Sequence, residues 1–340
     1  MTLALPSRLF VVLFFASAMG ETRGQILFGD VERKAFLKIF RKQLAFSGLR
    51  AVSWCFMGNH FHLLLEVPDK ETMTRNWKEE DFIDRLKVLK DELATRMALA
   101  DVKMFRENGN APGVTKIAER VKARLFDLSA FMKELKMKMT GFYNAMHGRR
   151  GTLWEGRFKS VLVEGKDALA AVAAYIDLNP LRAGMVDDPI VYRWCSYASA
   201  VAGNKDDRAG LNRAVRQIQR GRKAKWAKTV AEYRLFLYGR GEERVGGQTV
   251  DGRDKRKGGF TEAEIREVWK NRGRLPMAEA LRCRVRYFTD GVVLGSTEFV
   301  DTFFEKRRSH FGPKRTSGAR KMKRAEWGEL RSLRDTIKTP

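Results

Sequence analysis

Residues 51–67, AVSWCFMGNHFHLLLEV, constrain the fold more than any other stretch of this chain. They are rich in aromatic and β-branched side chains and are split by Gly58-Asn59. That reads as two strand-like runs around a kink, the second being His60–Val67 and ended by Pro68. Side chains alternate faces along a strand, so His60 and His62 share one face and Phe61 takes the other, toward a core. The apolar flanks Trp54, Phe56 and Leu63–Leu65 set the pair inside a buried sheet rather than on a free edge. Two imidazoles on one sheet face are placed to bind one metal ion; the competing reading is an incidental His-x-His facing solvent. The chain has 4 histidines and two of them are here.

The surrounding segments supply the rest of a domain. Leu9–Phe15 (LFVVLFF) reads as a buried strand, although residues 1–20 also pass loosely for a signal peptide, with Arg8 ahead of the apolar run and Ala16-Ser17-Ala18 behind it. Across 29–49 the apolar residues Ala35, Phe36, Ile39, Phe40, Leu44 and Phe46 recur at helical spacing, with Asp30 as the candidate cap and Gly48 as the end. Residues 70–147 are charged and predict two or three helices with a loop at 108–113. Gly148–Gly151 (GRRG) is a turn, and Thr152–Glu164 a strand bent at Gly156. A helix then runs from Asp167 to about Leu178, where Asn179-Pro180 stops it. The order strand, helix, strand, helices, strand, helix predicts an α+β sandwich with helices on one sheet face.

Boundaries follow from composition. Residues 1–24 are an N-terminal segment, either first strand or signal-like run, and 25–203 form the α+β domain with its helical insertion at about 70–147. Residues 204–259 read as a basic helix followed by a Gly-rich linker, and 260–340 as a helical, basic extension. In that extension a helix, a turn at Asp290-Gly291 and a second helix capped by Ser296 could form a helix-turn-helix.

Charge narrows the partner. The 66 Lys and Arg outnumber the 41 Asp and Glu, giving a net charge of +25, and a surplus of that size seeks an anionic partner, with nucleic acid ahead of a membrane surface. No stretch is long and apolar enough for a membrane-spanning helix. Cys55, Cys195 and Cys283 are widely separated and contain no CxxC, which argues against a cysteine zinc site and fits a reducing cytoplasm.

Tyr175 and Asn179 stand at i and i+4 on one helix, Asn179 at its end, and so share a face. Tyr175 can offer a phenolic nucleophile and Asn179 a carbonyl oxygen; the plain alternative is core filler followed by an Asn-Pro stop. The three stretches WCFMGNHFHLLLEVP (54–68), GTLWEGRFKSVLVE (151–164) and AAYIDLNPLRAGMVDDP (173–189), in that order, resemble the REP-associated tyrosine transposases of the single-tyrosine HUH endonuclease superfamily. The resemblance covers roughly residues 25–200. It implies a ferredoxin-like or RRM-like sandwich around an antiparallel sheet. It further implies Mg²⁺ or Mn²⁺ held by His60, His62 and Asn179, and Tyr175 as the nucleophile that cleaves and rejoins single-stranded, hairpin-bearing DNA through a 5′-phosphotyrosine. In that family the first strand carries a histidine; the corresponding MTLALPSRLFVVLFFASAMGETRG has none, which favours as the alternative an inactive or repurposed DNA-binding protein on the same scaffold. Candidate DNA contacts are Arg149, Arg150, Arg157, Lys159 and Arg182, with Trp154 as either a stacking platform or core packing, and Lys314 and Arg315 in the basic C-terminal run. Whether the chain acts as a monomer or a dimer is left open.

Overall fold

The structure is a computed structural model that describes residues 8–16, 28–154, 159–165, 167–186, 188–218, 225–238, 275–276, 288, 291–313, 315–322 and 325–334. Along the chain come β1 (Arg8–Ala16), α1 (Asp30–Ser47), β2 (Arg50–Phe56) and β3 (His60–Pro68). The insertion contributes α2 (Lys70–Thr74), α3 (Glu79–Arg85), α4 (Leu93–Glu107), α5 (Ala111–Arg124) and α6 (Leu128–Met146). Then follow β4 (Lys159–Val163), α7 (Asp167–Asp177), α8 (Asn179–Arg182), α9 (Ser196–Val201), α10 (Lys205–Ile218) and α11 (Trp226–Tyr238). The C-terminal part holds β5 (Leu275–Pro276), β6 (Val293–Gly295), α12 (Thr297–Lys306), β7 (Arg320–Lys321), β8 (Ala325–Glu326) and β9 (Arg331–Leu333). The protein is thus a mixed α and β molecule, more helical than the sequence suggested in the insertion.

One sheet organises the described residues, in the order β2-β3-β1-β4-β6-β9-β7. Its first four strands are antiparallel to one another. The run Arg8–Ala16 lies between β3 and β4, pairing Phe14 with His62 and Ala16 with His60, so the reading of Leu9–Phe15 as a strand holds. Phe61 turns to α1, where Phe36 meets it edge-on at 4.9 Å between ring centroids, with Phe56 and Trp154 alongside. Its neighbour His62 faces α7 on the other side. Helices therefore cover both faces, and the expectation of helices on one face is corrected: every β3 residue from Phe61 to Glu66 is buried, so each alternating set needs its own cover.

Local chemistry explains the helix ends, including two that the sequence misassigned. Gly48 adopts φ 78° and returns its N–H to the Leu44 carbonyl, as a C-terminal glycine should. The α1 cap is Gly29 rather than Asp30; Asp30 instead accepts from Trp194 Nε1 at 2.9 Å. Asn179-Pro180 does not end the helical path. Leu178 breaks it, and α8 begins with Pro180 in its first turn, where the missing N–H costs nothing.

The C-terminal residues depart furthest from expectation. Instead of a purely helical extension, β6 pairs in parallel with β4, with Leu162 opposite Val293, and β9 and β7 carry the same sheet onward. The second helix of the proposed helix-turn-helix exists as α12, capped by the Ser296 hydroxyl, which accepts from Phe299 N, but Val300 and Phe304 are buried together with Val293 and Leu333. The segment 277–287, most of the first helix of that motif, lies outside the described residues, as do Cys283 and the linker at 239–259.

Candidate functional site

The site is assembled at the mouth of the β2–β3 turn. His60 opens β3, and its Nδ1 lies 2.7 Å from the side-chain oxygen of Asn59. An amide oxygen only accepts, so the hydrogen sits on Nδ1 and the ring lone pair on Nε2. His62 is two residues on and on the same face, with the two ring centroids 4.8 Å apart. It is 6% exposed. Burial pushes its pKa well below the usual imidazole value, assisted by the positive fields of His60 and Arg182. A neutral imidazole is the form that donates to a metal.

Helix α7 brings the tyrosine. The Tyr175 ring meets His62 edge-on at 6.2 Å, although 113 residues separate the two in sequence. Tyr175 is 3% exposed. The Arg182 guanidinium lies over the ring, 4.0 Å from its centroid, and donates to the Tyr175 carbonyl at 2.6 Å. On another edge Phe288 packs at 5.2 Å, with Trp327 behind it at 5.8 Å. Asn179 uses its amide nitrogen on the carbonyls of Tyr175 and Ile176, at 3.1 and 3.2 Å. Among the described residues no group of three or more His, Cys, Asp and Glu side chains is placed to hold a metal ion. A metal here would rest on two imidazoles and an amide oxygen, a nitrogen and oxygen set that divalent first-row ions accept.

Between Tyr175 and Asn179, on the far side of the helix, Asp177 is a buried hub. Tyr233 Oη donates to it at 2.6 Å, and the hydroxyls of Ser53 and Ser196 lie at 3.3 and 3.2 Å. Burial raises its carboxyl to about 7, against the opposing pull of these hydrogen bonds. Sequence reasoning missed Asp177, the clamp by Arg182 on the tyrosine ring, and Phe288. Nothing local marks any of them except that Asp177 interrupts an otherwise apolar helix.

The proposed DNA contacts sort differently. Arg150 and Lys159 are exposed. Arg149 is half-buried, its guanidinium 5.7 Å from the Tyr143 ring centroid. Of the two readings of Trp154 the structure gives core packing rather than a stacking platform: it is buried among Phe28, Phe36 and Phe61, and its Nε1 donates to the Lys136 carbonyl at 3.0 Å. Arg315 is corrected likewise, because its guanidinium donates to the carbonyls of Ser317, Gly318 and Arg334 and lies over Phe304 and Phe311. Arg157 and Lys314 lie outside the described residues. No described helix is long and apolar enough to cross a membrane.

No protein-family model matches the chain, and no curated protein matches it. Among solved structures the chain is similar to a REP-associated tyrosine transposase bound to a REP hairpin, at 12% identity and a TM-score of 0.34, over 58% of this chain and 80% of that one.

Proposed function

We propose that the protein cleaves and rejoins single-stranded DNA through a covalent 5′-phosphotyrosine at Tyr175, with His60, His62 and Asn179 as the ligands of Mg²⁺ or Mn²⁺. The observation that carries this reading is the convergence of a tyrosine and a same-face histidine pair from separate elements, the Tyr175 and His62 ring centroids being 6.2 Å apart. The order β2-β3-β1-β4 with a helix after β1 supports the ferredoxin-like, split βαβ reading of the core. When bound, the metal would polarise the scissile phosphate and offset charge on its oxygens. The chain's own groups do the rest. Tyr175 Oη loses its proton and attacks phosphorus, the P–O3′ bond breaks, and the departing 3′-oxygen takes up a proton. The phosphodiester bond is exchanged for a phosphotyrosine bond, so rejoining needs no nucleotide cofactor. Arg182 holds the tyrosine ring, and the exposed Arg150 and Lys159 would contact the DNA backbone, which such side chains do without reading sequence.

The test is covalent capture. Labelled single-stranded hairpin DNA incubated with protein and Mn²⁺ should yield a slow-migrating band on a denaturing gel. That band should vanish in Tyr175→Phe and with chelator. A second reading, a DNA-binding protein without the covalent step, is favoured by the burial of Tyr175 under Phe288. It expects salt-sensitive binding and no band with any hairpin, a result that would remove the enzymatic reading.

A further inference from the structure

The insertion differs in charge from the chain that carries it. Residues 70–127, the insertion without α6, hold 13 Lys and Arg against 11 Asp and Glu, so nearly all of the +25 lies elsewhere. They form a core of their own, with Phe82, Leu86, Val102, Ile117, Val121 and Phe126 buried together. Yet α4 shows an apolar stripe to solvent. Leu93 is 65% exposed, Met97 60% and Met104 45%, and Ala100 between them is exposed as well. The opposite side of the same helix points inward through Thr95 and Val102, both buried.

The spacing of the stripe is four, three, four, which is the seam of a two-stranded coiled coil. With Met97 and Met104 at a, Leu93 and Ala100 fall at d, Arg96 and Lys103 at g, and Asp101 at e. Between parallel helices a g residue meets the e residue five positions further along the partner helix. Arg96 would therefore meet Asp101 of a second copy, and a two-fold axis makes the pair twice. Antiparallel helices meeting through the same seam would instead set Arg96 beside Lys103 and Asp101 beside Ala94, with no opposite-charge pair. Neither side chain has an ion-pair or hydrogen-bond partner among the described residues.

We propose that α4 is a self-association surface on which a second copy of this chain docks, helix against helix and parallel, through Leu93, Met97, Ala100 and Met104 and the Arg96–Asp101 pair. Pairing through the near-neutral insertion lets two strongly basic molecules meet away from their charged faces. The seam is two heptads long, so the dimer is weak and reversible.

Sedimentation of the full chain without DNA tests this, at about 0.15 M salt, where the Debye length is near 8 Å. A monomer–dimer equilibrium is expected. Met97→Glu should raise its dissociation constant by roughly tenfold or more, with circular dichroism and thermal midpoint unchanged, because the side chain is exposed. Arg96→Glu should weaken the dimer, and Arg96→Glu with Asp101→Arg in one chain should restore it. A monomer at every concentration up to about 0.1 mM overturns the proposal, as does a dimer untouched by Met97→Glu. A dimer sensitive to Met97→Glu but indifferent to Arg96→Glu overturns the parallel arrangement.

Discussion

Asp177 holds the short path from Tyr175 to Asn179 in place. Its carboxylate receives the Tyr233 hydroxyl and lies within hydrogen-bond reach of Ser53 and Ser196, so groups on β2, α9 and α11 fix the rotation of the helix that presents the tyrosine. Its folded pKa of about 7 stands above the ordinary aspartate value of 3.8. Between those values the folded chain keeps a proton that the unfolded chain has lost, so this group's contribution to stability is full below the lower value and fades as pH rises through the upper one. Asp177→Asn should abolish that dependence. Thermal midpoints at pH 5 and pH 8 should show the wild type losing ground to the Asn variant at the higher pH; parallel behaviour of the two would contradict the assignment. The same scale separates legible residues from illegible ones. That His60 and His62 share one strand face was readable because alternation along a strand is local geometry; that the helix of Tyr175 breaks at Leu178 before Asn179 was not. Arg315 was misread, and Trp154 was left between stacking and core, because an aromatic or a guanidinium looks the same in sequence whether its neighbours are solvent or protein.

At the level of elements, α10 closes the β2 edge of the sheet. Gly210 is where helix and strand touch: a Cβ there would stand 2.7 Å from the carbonyl oxygens of Ala51 and Val52. Gly210→Ala should therefore push α10 off β2 and cost about 1–3 kcal/mol by overpacking, measurable as a lower urea midpoint; an unchanged midpoint would mean that the close approach is not tight. Two N–H groups along this edge also have partners, Trp54 N in the Ser196 hydroxyl and Phe56 N in the Trp194 carbonyl. The strands of the domain were readable from apolar runs and the α1 end from Gly48. The break at Leu178 was not, because proline is compatible both with stopping a helix and with starting one, and the packing of the next turn decides between them.

Over the whole molecule, the C-terminal residues belong to the sheet rather than beside it. β6 covers the outer side of β4, Glu164 beyond β4 accepts from the Ser296 hydroxyl at 3.1 Å, and Phe288 packs on Tyr175. Removing residues 260–340 should therefore leave the β4 edge bare and give a protein that aggregates. A soluble, cooperatively folding 1–259 fragment would show the extension to be separable. Sequence alone determined the pieces: strands from apolar runs, the shared strand face of the histidines, and a charge balance suited to nucleic acid. Each follows from backbone geometry or composition, which need no knowledge of distant neighbours. Only the tertiary structure decided that His62 meets Tyr175, that buried Cys55 and Cys195 face each other across an isolated bridge, and that Phe288 covers the tyrosine. Those are contacts between residues far apart in the chain, and packing rather than local preference selects them.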